Sequence, residues 1–182
     1  VEEARANSAV RHWIAEKMPY VAKKNPMPKE MEIRGKGKIG IFDGFTVFFP
    51  DSALKRQRRK TDKGVSTEVS CELTGGTYFL SVVALKLAQS TGRELDVLFD
   101  RNDDAEGVAV IKRPFKGFSA ILIESAPDER GRGACKTLHF KPGPDLMVTL
   151  TIVGVKREPP FDLVDHFFDG FKPIDDLSKV LD

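Results

Sequence analysis

The segment DHFFDGFKPI, residues 165–174, and the residues just before it contain the side chains best suited to bind a metal or to transfer a proton. Four ionisable residues recur there at helical spacing: Asp162, Asp165, His166 and Asp169. Carboxylates and imidazoles are common metal ligands and common general acids and bases. A metal also needs ligands held in place by surrounding hydrogen bonds, which an exposed helix face rarely supplies. The pattern therefore favours a solvated helix face, with a metal or acid/base site as the alternative.

The apolar residues of the same segment predict the buried side of that helix. They recur at i, i+3, i+7 and i+10 as Phe161, Val164, Phe168 and Phe171, with Phe167 beside them. Such a stripe is wide enough to pack on a sheet. Pro159 and Pro160 precede it, and Gly170 with Pro173 ends it. We expect the apolar stripe to be buried and the three aspartates to remain in water.

Two short motifs look like cofactor sites but lack the surrounding pattern. The motif GKGKIG, residues 35–40, matches G-x-G-x-x-G, yet a strand-like run follows it where dinucleotide binding requires a helix. The motif DRNDDAEG, residues 100–107, begins like a calcium loop but has Ala105 in place of the required Gly and Ile111 in place of the required Glu. We predict an entry loop at the first motif and a polar turn at the end of a helix at the second. The sequence thus predicts no cofactor and no metal.

The three histidines are far apart in the sequence, at His12, His139 and His166. None of the common catalytic motifs occurs, whether a nucleophile elbow, a zinc-protease H-E-x-x-H or a phosphate-binding loop. We therefore predict no catalytic residues and lean against an enzyme. The alternative is a hydrolase-like or metal-dependent enzyme whose site residues converge only in the fold.

The densest run of like charge is LKRQRRKTDK, residues 54–63. Its candidate binding residues are Lys55, Arg56, Arg58, Arg59 and Lys60. Lying between two strand-like runs, the segment is predicted to form a protruding turn or hairpin loop. It could contact phosphate, anionic lipid head groups or an acidic partner, or it could simply be a solvated loop. Because no aromatic residue is interleaved, stacking on nucleic-acid bases is not expected.

Composition limits the classes of function. A chain of 182 residues that is 41% hydrophobic can bury one substantial core. Its 29 basic and 27 acidic residues give a formal charge of +2, too small to predict specific nucleic-acid binding. No apolar run reaches the roughly 20 residues that span a bilayer, and no signal peptide opens the chain. Because the chain begins at Val1 rather than Met, we expect a preceding signal peptide, anchor or further protein.

The elements predict an α+β fold: a mostly antiparallel sheet flanked by helices, with an additional N-terminal helix. Residues 1–30 are predicted to be that helix, over residues 2–18, and a Pro- and Lys-rich linker; residues 31–182 are predicted to be one α+β domain. Thr91 and Glu94 form a capping-box pattern that predicts a second helix before the closing one. The predicted strands are KIGIF, FTVFFP, VSTEVSCEL, TYFLSVVALKL, GVAVIKR, FSAILIESA, KTLHF and LMVTLTIVGV.

The two cysteines are predicted to remain unpaired. Alternation places Cys71 on the apolar face of its strand, whereas Cys135 falls on the face opposite Leu138 and Phe140. A disulfide would require a bulge to bring the two thiols together.

Three segments in order, GFTVFFPDSALK, TYFLSVVALKL and HFFDGFKPI, resemble the PsbP-like and DcrB-like α/β domains. The resemblance covers residues 38–174, and Asp51 and Ser52 stand where those domains often have tryptophan. It implies an antiparallel sheet flanked by helices, an extracytoplasmic (periplasmic or membrane-anchored) location and a largely non-enzymatic role. It carries over no site residues.

Together these observations predict a non-catalytic accessory or binding domain that acts through a surface such as the basic segment. The expected partner is a protein or an anionic membrane surface.

Overall fold

The computed structural model describes residues 38–173, except residues 43, 51–52, 74, 104, 128–132 and 156–157. The predicted N-terminal helix, the linker and the boundary after residue 30 lie outside the described residues. Within them, two helices and a mostly antiparallel set of strands confirm the sheet-dominated α+β class.

The described elements follow one another along the chain mainly as hairpins. They are β1 (Lys38–Phe42), β2 (Phe45–Phe49), β3 (Lys55–Thr61), β4 (Gly64–Leu73), β5 (Tyr78–Leu87), α1 (Glu94–Asp103), β6 (Val108–Phe115), β7 (Phe118–Ser125), β8 (Ala134–Gly143), β9 (Leu146–Gly154), α2 (Phe161–Asp169) and β10 (Phe171–Pro173).

Seven strands form one antiparallel sheet in the order β3-β4-β5-β9-β8-β7-β6. Alternate residues of its central strands are buried on one side, here called the inner face, which carries Leu80, Leu138 and Leu150. The predicted turn between β4 and β5 is confirmed, since Gly75 and Gly76 both adopt positive φ. Period-two alternation in the sequence thus reports directly which side of each central strand faces the core.

A second sheet of three strands, in the order β1-β2-β10, and helix α2 cover the inner face. The contact is largely aromatic. The Phe171 ring lies 4.8 Å from the Phe140 ring and 5.2 Å from the Phe45 ring, and Phe49 and Phe167 are 5.6 Å apart. Edge-to-face and tilted contacts of this kind contribute beyond the apolar area that they bury.

The prediction for the closing helix is confirmed for most of its apolar residues and wrong for one. Val164, Phe167, Phe168 and Phe171 are buried, although Phe171 belongs to β10 rather than to α2. Phe161 is 41% exposed. The buried side of α2 is centred on Leu163, Val164, Phe167 and Phe168, and at 3.6 residues per turn Phe161 falls at its margin.

Helix α1 lies against the opposite, outer face of the large sheet, near β6 and β7. The predicted capping box is confirmed: the Thr91 N–H donates to Glu94 Oε1 at 2.6 Å, and Thr91 Oγ1 accepts from the Arg93 N–H at 3.3 Å. The helix buries no residue fully. Its Leu95, Leu98 and Phe99 are half-buried, and the Lys112 ammonium of β6 lies 4.2 Å from the Phe99 ring centre.

Neither Cys71 nor Cys135 forms a disulfide, as predicted. Cys71 is buried on the inner face, paired with Leu80 across the sheet. Cys135 points to the outer face, where its Sγ lies 3.4 Å from Thr137 Oγ1. The seven-stranded sheet therefore separates the two thiols.

Candidate functional site

The prediction that the three aspartates of α2 remain in water is confirmed fully only for Asp169. His166 and Asp169 are exposed, and Asp162 and Asp165 are half-buried. The edge of the His166 ring meets the Phe48 ring at 5.3 Å. Within the described part of the chain, no three His, Cys, Asp or Glu side chains are grouped so that they could hold a metal ion. The arrangement fits a helix that uses one side for the core and the other for water.

Residues Lys55–Thr61 of the basic segment form strand β3, so the prediction of a turn or loop is wrong for them and right only for Asp62 and Lys63. All seven residues from Lys55 to Thr61 are paired with β4, from Lys55 opposite Ser70 to Thr61 opposite Gly64. Every one of them is exposed. Among the described residues β3 lies at the edge of the sheet, and both of its faces are in water. It therefore needs no apolar alternation, which is the signal that identifies a half-buried strand in a sequence.

Gly64 positions β3 by allowing the tight return into β4. Its φ is +142°, and a Cβ at this position would lie 2.0 Å from the Lys86 carbonyl oxygen of β5. The next backbone contact, from the Ala88 N–H to the Lys63 carbonyl at 2.9 Å, fastens the turn to the end of β5. The basic strand is thereby held by backbone contacts rather than by side-chain packing.

Strand pairing divides the five cations between the two faces. Arg56 lies opposite Val69, which is buried on the inner face, so Arg56, Arg58 and Lys60 project to the inner side. Lys55 and Arg59 project to the outer side with Gln57. The charge run that looks uniform in the sequence is two separate rows in the fold.

The inner row borders a groove with a volume of about 500 Å³. Its lining residues are Phe42, Arg56, Arg58, Val65, Thr67, Ala84, Lys86, Asp145 and Leu146. The pairing of β3, β4, β5 and β9 sets Arg58, Thr67 and Ala84 in one row and Lys60, Val65 and Lys86 in the next. The hydroxyl of Thr67 and the small side chain of Ala84 leave room beside the two arginines.

Charge in the groove favours an anion. Three cationic side chains, Arg56, Arg58 and Lys86, line it with one carboxylate, Asp145. Guanidinium groups bind carboxylates and phosphates through paired hydrogen bonds of fixed geometry. The groove could therefore hold a carboxylate or a phosphate group next to an apolar wall formed by Phe42 and Leu146.

The outer row has two glutamates beside it. Lys55 Nζ lies 3.2 Å from Glu72 Oε1, and Gln57 pairs across the strands with Glu68. Arg59 Nη2 donates to Gln57 Oε1 at 2.8 Å. Both partners of the Lys55–Glu72 pair are largely exposed, so this ion pair contributes at most about 1 kcal/mol. The pair places negative charge beside the outer row.

The sequence identified Arg56 and Arg58 but missed the groove that they border. Thr67, Lys86 and Asp145 come from β4, β5 and the turn between β8 and β9. Nothing in the local sequence marks them, because each belongs to an ordinary strand or turn pattern. They become neighbours only through the order of the strands.

A second polar cluster lies on the outer face of the large sheet. His139 Nδ1 and Thr149 Oγ1 form a hydrogen bond of 2.9 Å between β8 and β9. Burial lowers the pKa of His139 to about 4, because desolvation disfavours the imidazolium. A neutral imidazole that bonds a threonine across two strands stabilises the sheet.

Lys136 is a buried cation on the inner face, with its side chain 8% exposed. Its Nζ lies 3.0 Å from Glu124 Oε1 and 3.5 Å from Glu158 Oε1, and 5.0 Å from the centre of the Phe161 ring. The two carboxylates compensate the charge of Lys136. The half-exposed Phe161 ring lies over its ammonium group. The cluster links β7, β8 and the start of α2.

No helix among the described residues has both the length and the apolar character needed to cross a membrane. No protein-family model matches this chain, and the search of curated proteins returns no match.

Proposed function

We propose that this chain is a non-catalytic binding or accessory domain that recognises an anionic partner through β3. The observation that carries the proposal is the concentration of five cations on one fully exposed edge strand, in a chain whose overall charge is only +2. The inner row of that strand also borders a groove in which cations outnumber carboxylates. Charge is thus focused at one edge rather than spread over the surface.

Two anionic partners fit this edge, an acidic protein and a membrane surface. Near an anionic membrane each Lys or Arg contributes roughly 1 kcal/mol, screened over about 8 Å at physiological salt. Such a contribution can orient a domain that is already held near its partner. The resemblance to PsbP-like and DcrB-like domains supports this non-enzymatic role and an extracytoplasmic, membrane-associated setting. Strand β3 has no aromatic side chain on which a nucleic-acid base could stack.

The test is binding to anionic probes with and without the cations of β3. Vesicles that contain phosphatidylserine, vesicles of phosphatidylcholine alone and a polyglutamate chain would be sedimented or titrated with the protein at low and high salt. We expect the protein to bind the anionic probes at low salt and to release them at high salt. A variant with Lys55, Arg56, Arg58, Arg59 and Lys60 all changed to Ser should bind none of them.

A matched control separates charge at β3 from charge in general. Arg93→Ser with Arg101→Ser removes two exposed cations from the region of α1 and should leave binding nearly unchanged. Arg56→Ser with Arg58→Ser removes the same charge from β3 and should weaken binding clearly. Equal binding by wild type and the variant with five serines under every condition would contradict the proposal.

A further inference from the structure

We infer that the partner of β3 is an extended acidic peptide segment, which pairs with β3 as an additional strand and places alternate carboxylates in the groove beside Arg56 and Arg58. This inference rests on the proposed function and narrows it to one kind of partner and one geometry.

The backbone of β3 presents hydrogen-bonding groups along the edge of the described sheet. In an antiparallel ladder, alternate residues direct their N–H and C=O groups to the partner strand and the others direct theirs away. Strand β3 is paired with β4 over all seven residues and, among the described residues, has no strand on its other side. A row of backbone donors and acceptors therefore runs along this edge, and an added strand is the ligand that satisfies such a row.

The charges of β3 select which strand can be added. A second copy of β3 would place Lys and Arg opposite Lys and Arg, so like-charge repulsion opposes pairing between copies. An uncharged strand would gain the backbone bonds but no Coulombic attraction. An acidic strand gains both the backbone hydrogen bonds and the Coulombic attraction. Specificity comes from this attraction combined with the repulsion between basic strands.

The two rows of β3 differ in what they can accept. Residues of an added strand that point to the inner side lie next to Arg56, Arg58 and the groove. Residues that point to the outer side meet the row where Glu72 pairs with Lys55 and where Glu68 lies opposite Gln57. Carboxylates are favoured on the first side and partly repelled on the second. The preferred segment therefore has acidic residues at i, i+2 and i+4, with uncharged, strand-forming residues between them.

The groove accounts for the affinity of the inner side. It is large enough, at about 500 Å³, for acidic side chains to enter beside the two guanidinium groups. An arginine can bind a carboxylate in bidentate fashion, which is stronger than a contact between point charges in water. A flat lipid surface that touches the edge of β3 would not reach into this space as an extended peptide would.

The experiment measures binding of labelled peptides by fluorescence anisotropy. The first probe alternates Glu with Thr over the length of β3. The second has the same composition with all Glu residues in one block, and the third is the alternating peptide with a central Thr changed to Pro. Proline removes a backbone N–H and prevents continuous strand pairing.

Two variants of equal charge test the two rows. Arg56→Ser with Arg58→Ser should raise the Kd of the alternating peptide by tenfold or more, as the loss of at least one charge-assisted contact predicts. Lys55→Ser with Arg59→Ser should raise it by less than about threefold. Both variants change exposed residues of one strand, so they have the same folding requirements. The blocked and Pro-containing peptides should each bind wild type several-fold more weakly, and hydrogen exchange of β3 amides should slow only with the alternating peptide.

The outcomes distinguish this inference from the proposed function. If the three peptides bind alike and the two double variants lose affinity equally, β3 acts as a diffuse cationic edge; the strand-addition model is then overturned while the proposed function stands. If anionic vesicles bind and no peptide does, the partner is a membrane surface. The strand-addition model is then also overturned, and the proposed function stands. If no anionic probe binds at all, both proposals fail.

Discussion

At the scale of single residues, neighbouring positions on α2 have opposite environments. Phe168 is buried in the aromatic core, whereas the side chain of Asp169 is exposed. The carbonyl oxygens of Asp169 and Phe171 accept hydrogen bonds from Lys116 Nζ at 2.7 and 2.9 Å, so the backbone after the helix is fastened even where the side chain is free to vary. Helix geometry thus explains the contrast between Phe168 and Asp169.

We expect Phe168→Ala to lower the free energy of unfolding by about 3–5 kcal/mol, because a large side chain leaves a cavity in the core. Asp169→Ala should lower it by less than about 0.5 kcal/mol, as at other surface positions. Urea unfolding followed by circular dichroism measures both. Comparable losses for the two variants would show that the aspartate face has a role beyond solvation.

His139 makes stability depend on pH. Its pKa is about 4 in the folded protein and about 6.5 when unfolded, so below pH 6.5 the unfolded chain binds more protons than the folded one. The contribution of His139 to the free energy of unfolding is therefore fully present above pH 6.5. It is lost as the pH falls towards 4, by up to about 3 kcal/mol. His139→Gln, which keeps a polar group near Thr149, should lose this part of the decline. A thermal unfolding series from pH 7.5 to pH 4 tests it, and an unchanged slope in the variant would assign the effect to other groups.

At the scale of elements, α1 is attached to the sheet in part by an ion pair. Lys141 Nζ on β8 donates to Glu94 Oε2 at 2.8 Å, and the same nitrogen donates to Ser90 Oγ at 2.7 Å. Glu94 also accepts the Thr91 N–H of the capping box. One carboxylate therefore both starts the helix and holds it against the sheet.

The carboxylate of Glu94 makes stability depend on pH in a second, more acidic range. The hydrogen bond from Lys141, followed by that from the Thr91 N–H, lowers the pKa of Glu94 from about 4.5 to about 2. A carboxyl with a lowered pKa stabilises the fold above pH 4.5 and loses this contribution as the pH falls towards 2. Glu94→Gln should be less stable at neutral pH and should show a smaller decline between pH 4.5 and pH 2. Asp96→Asn, at an exposed carboxylate of the same helix, is the control and should keep the wild-type decline.

At the scale of the whole molecule, the charge of β3 has a consequence for association between copies. Edge strands present free backbone groups, and charged side chains are a common means of preventing edge-to-edge pairing. The five cations of β3 occupy such an edge within the described sheet. We therefore expect them to serve solubility, in addition to the recognition proposed above.

We expect the variant with Lys55, Arg56, Arg58, Arg59 and Lys60 changed to Ser to retain the fold, since all five side chains are exposed. It should form larger species than wild type as its concentration rises, because the repulsion between β3 edges has been removed. Sedimentation velocity over a range of concentrations measures this. A variant in which each Lys is exchanged for Arg and each Arg for Lys should behave like wild type; an equally monodisperse serine variant would show that charge is not what keeps this edge apart.

The sequence alone determined the features that depend on short-range periodicity. Alternating apolar residues located the central strands and placed Cys71 and Cys135 on opposite faces, the Thr91–Glu94 pair marked the start of α1, and Gly75 with Gly76 marked a turn. These signals are local, because strand, helix and turn geometry each relate residues only a few positions apart. The N-terminal helix and the boundary after residue 30 remain predictions.

The tertiary structure decided what depends on neighbours far away in the chain. The basic segment is a strand because β4 supplies its hydrogen bonds. The side-chain pattern of the segment does not predict this pairing. Phe161 is exposed because α2 packs on the core through the side centred on Leu163, Val164, Phe167 and Phe168, and this places Phe161 at the margin. The groove beside Arg58 exists because strand order brings Thr67, Lys86 and Asp145 to one place. Burial and charge clustering depend on which strands become neighbours in the assembled sheet. The sequence pattern of one strand or helix predicts only which of its own residues share a face.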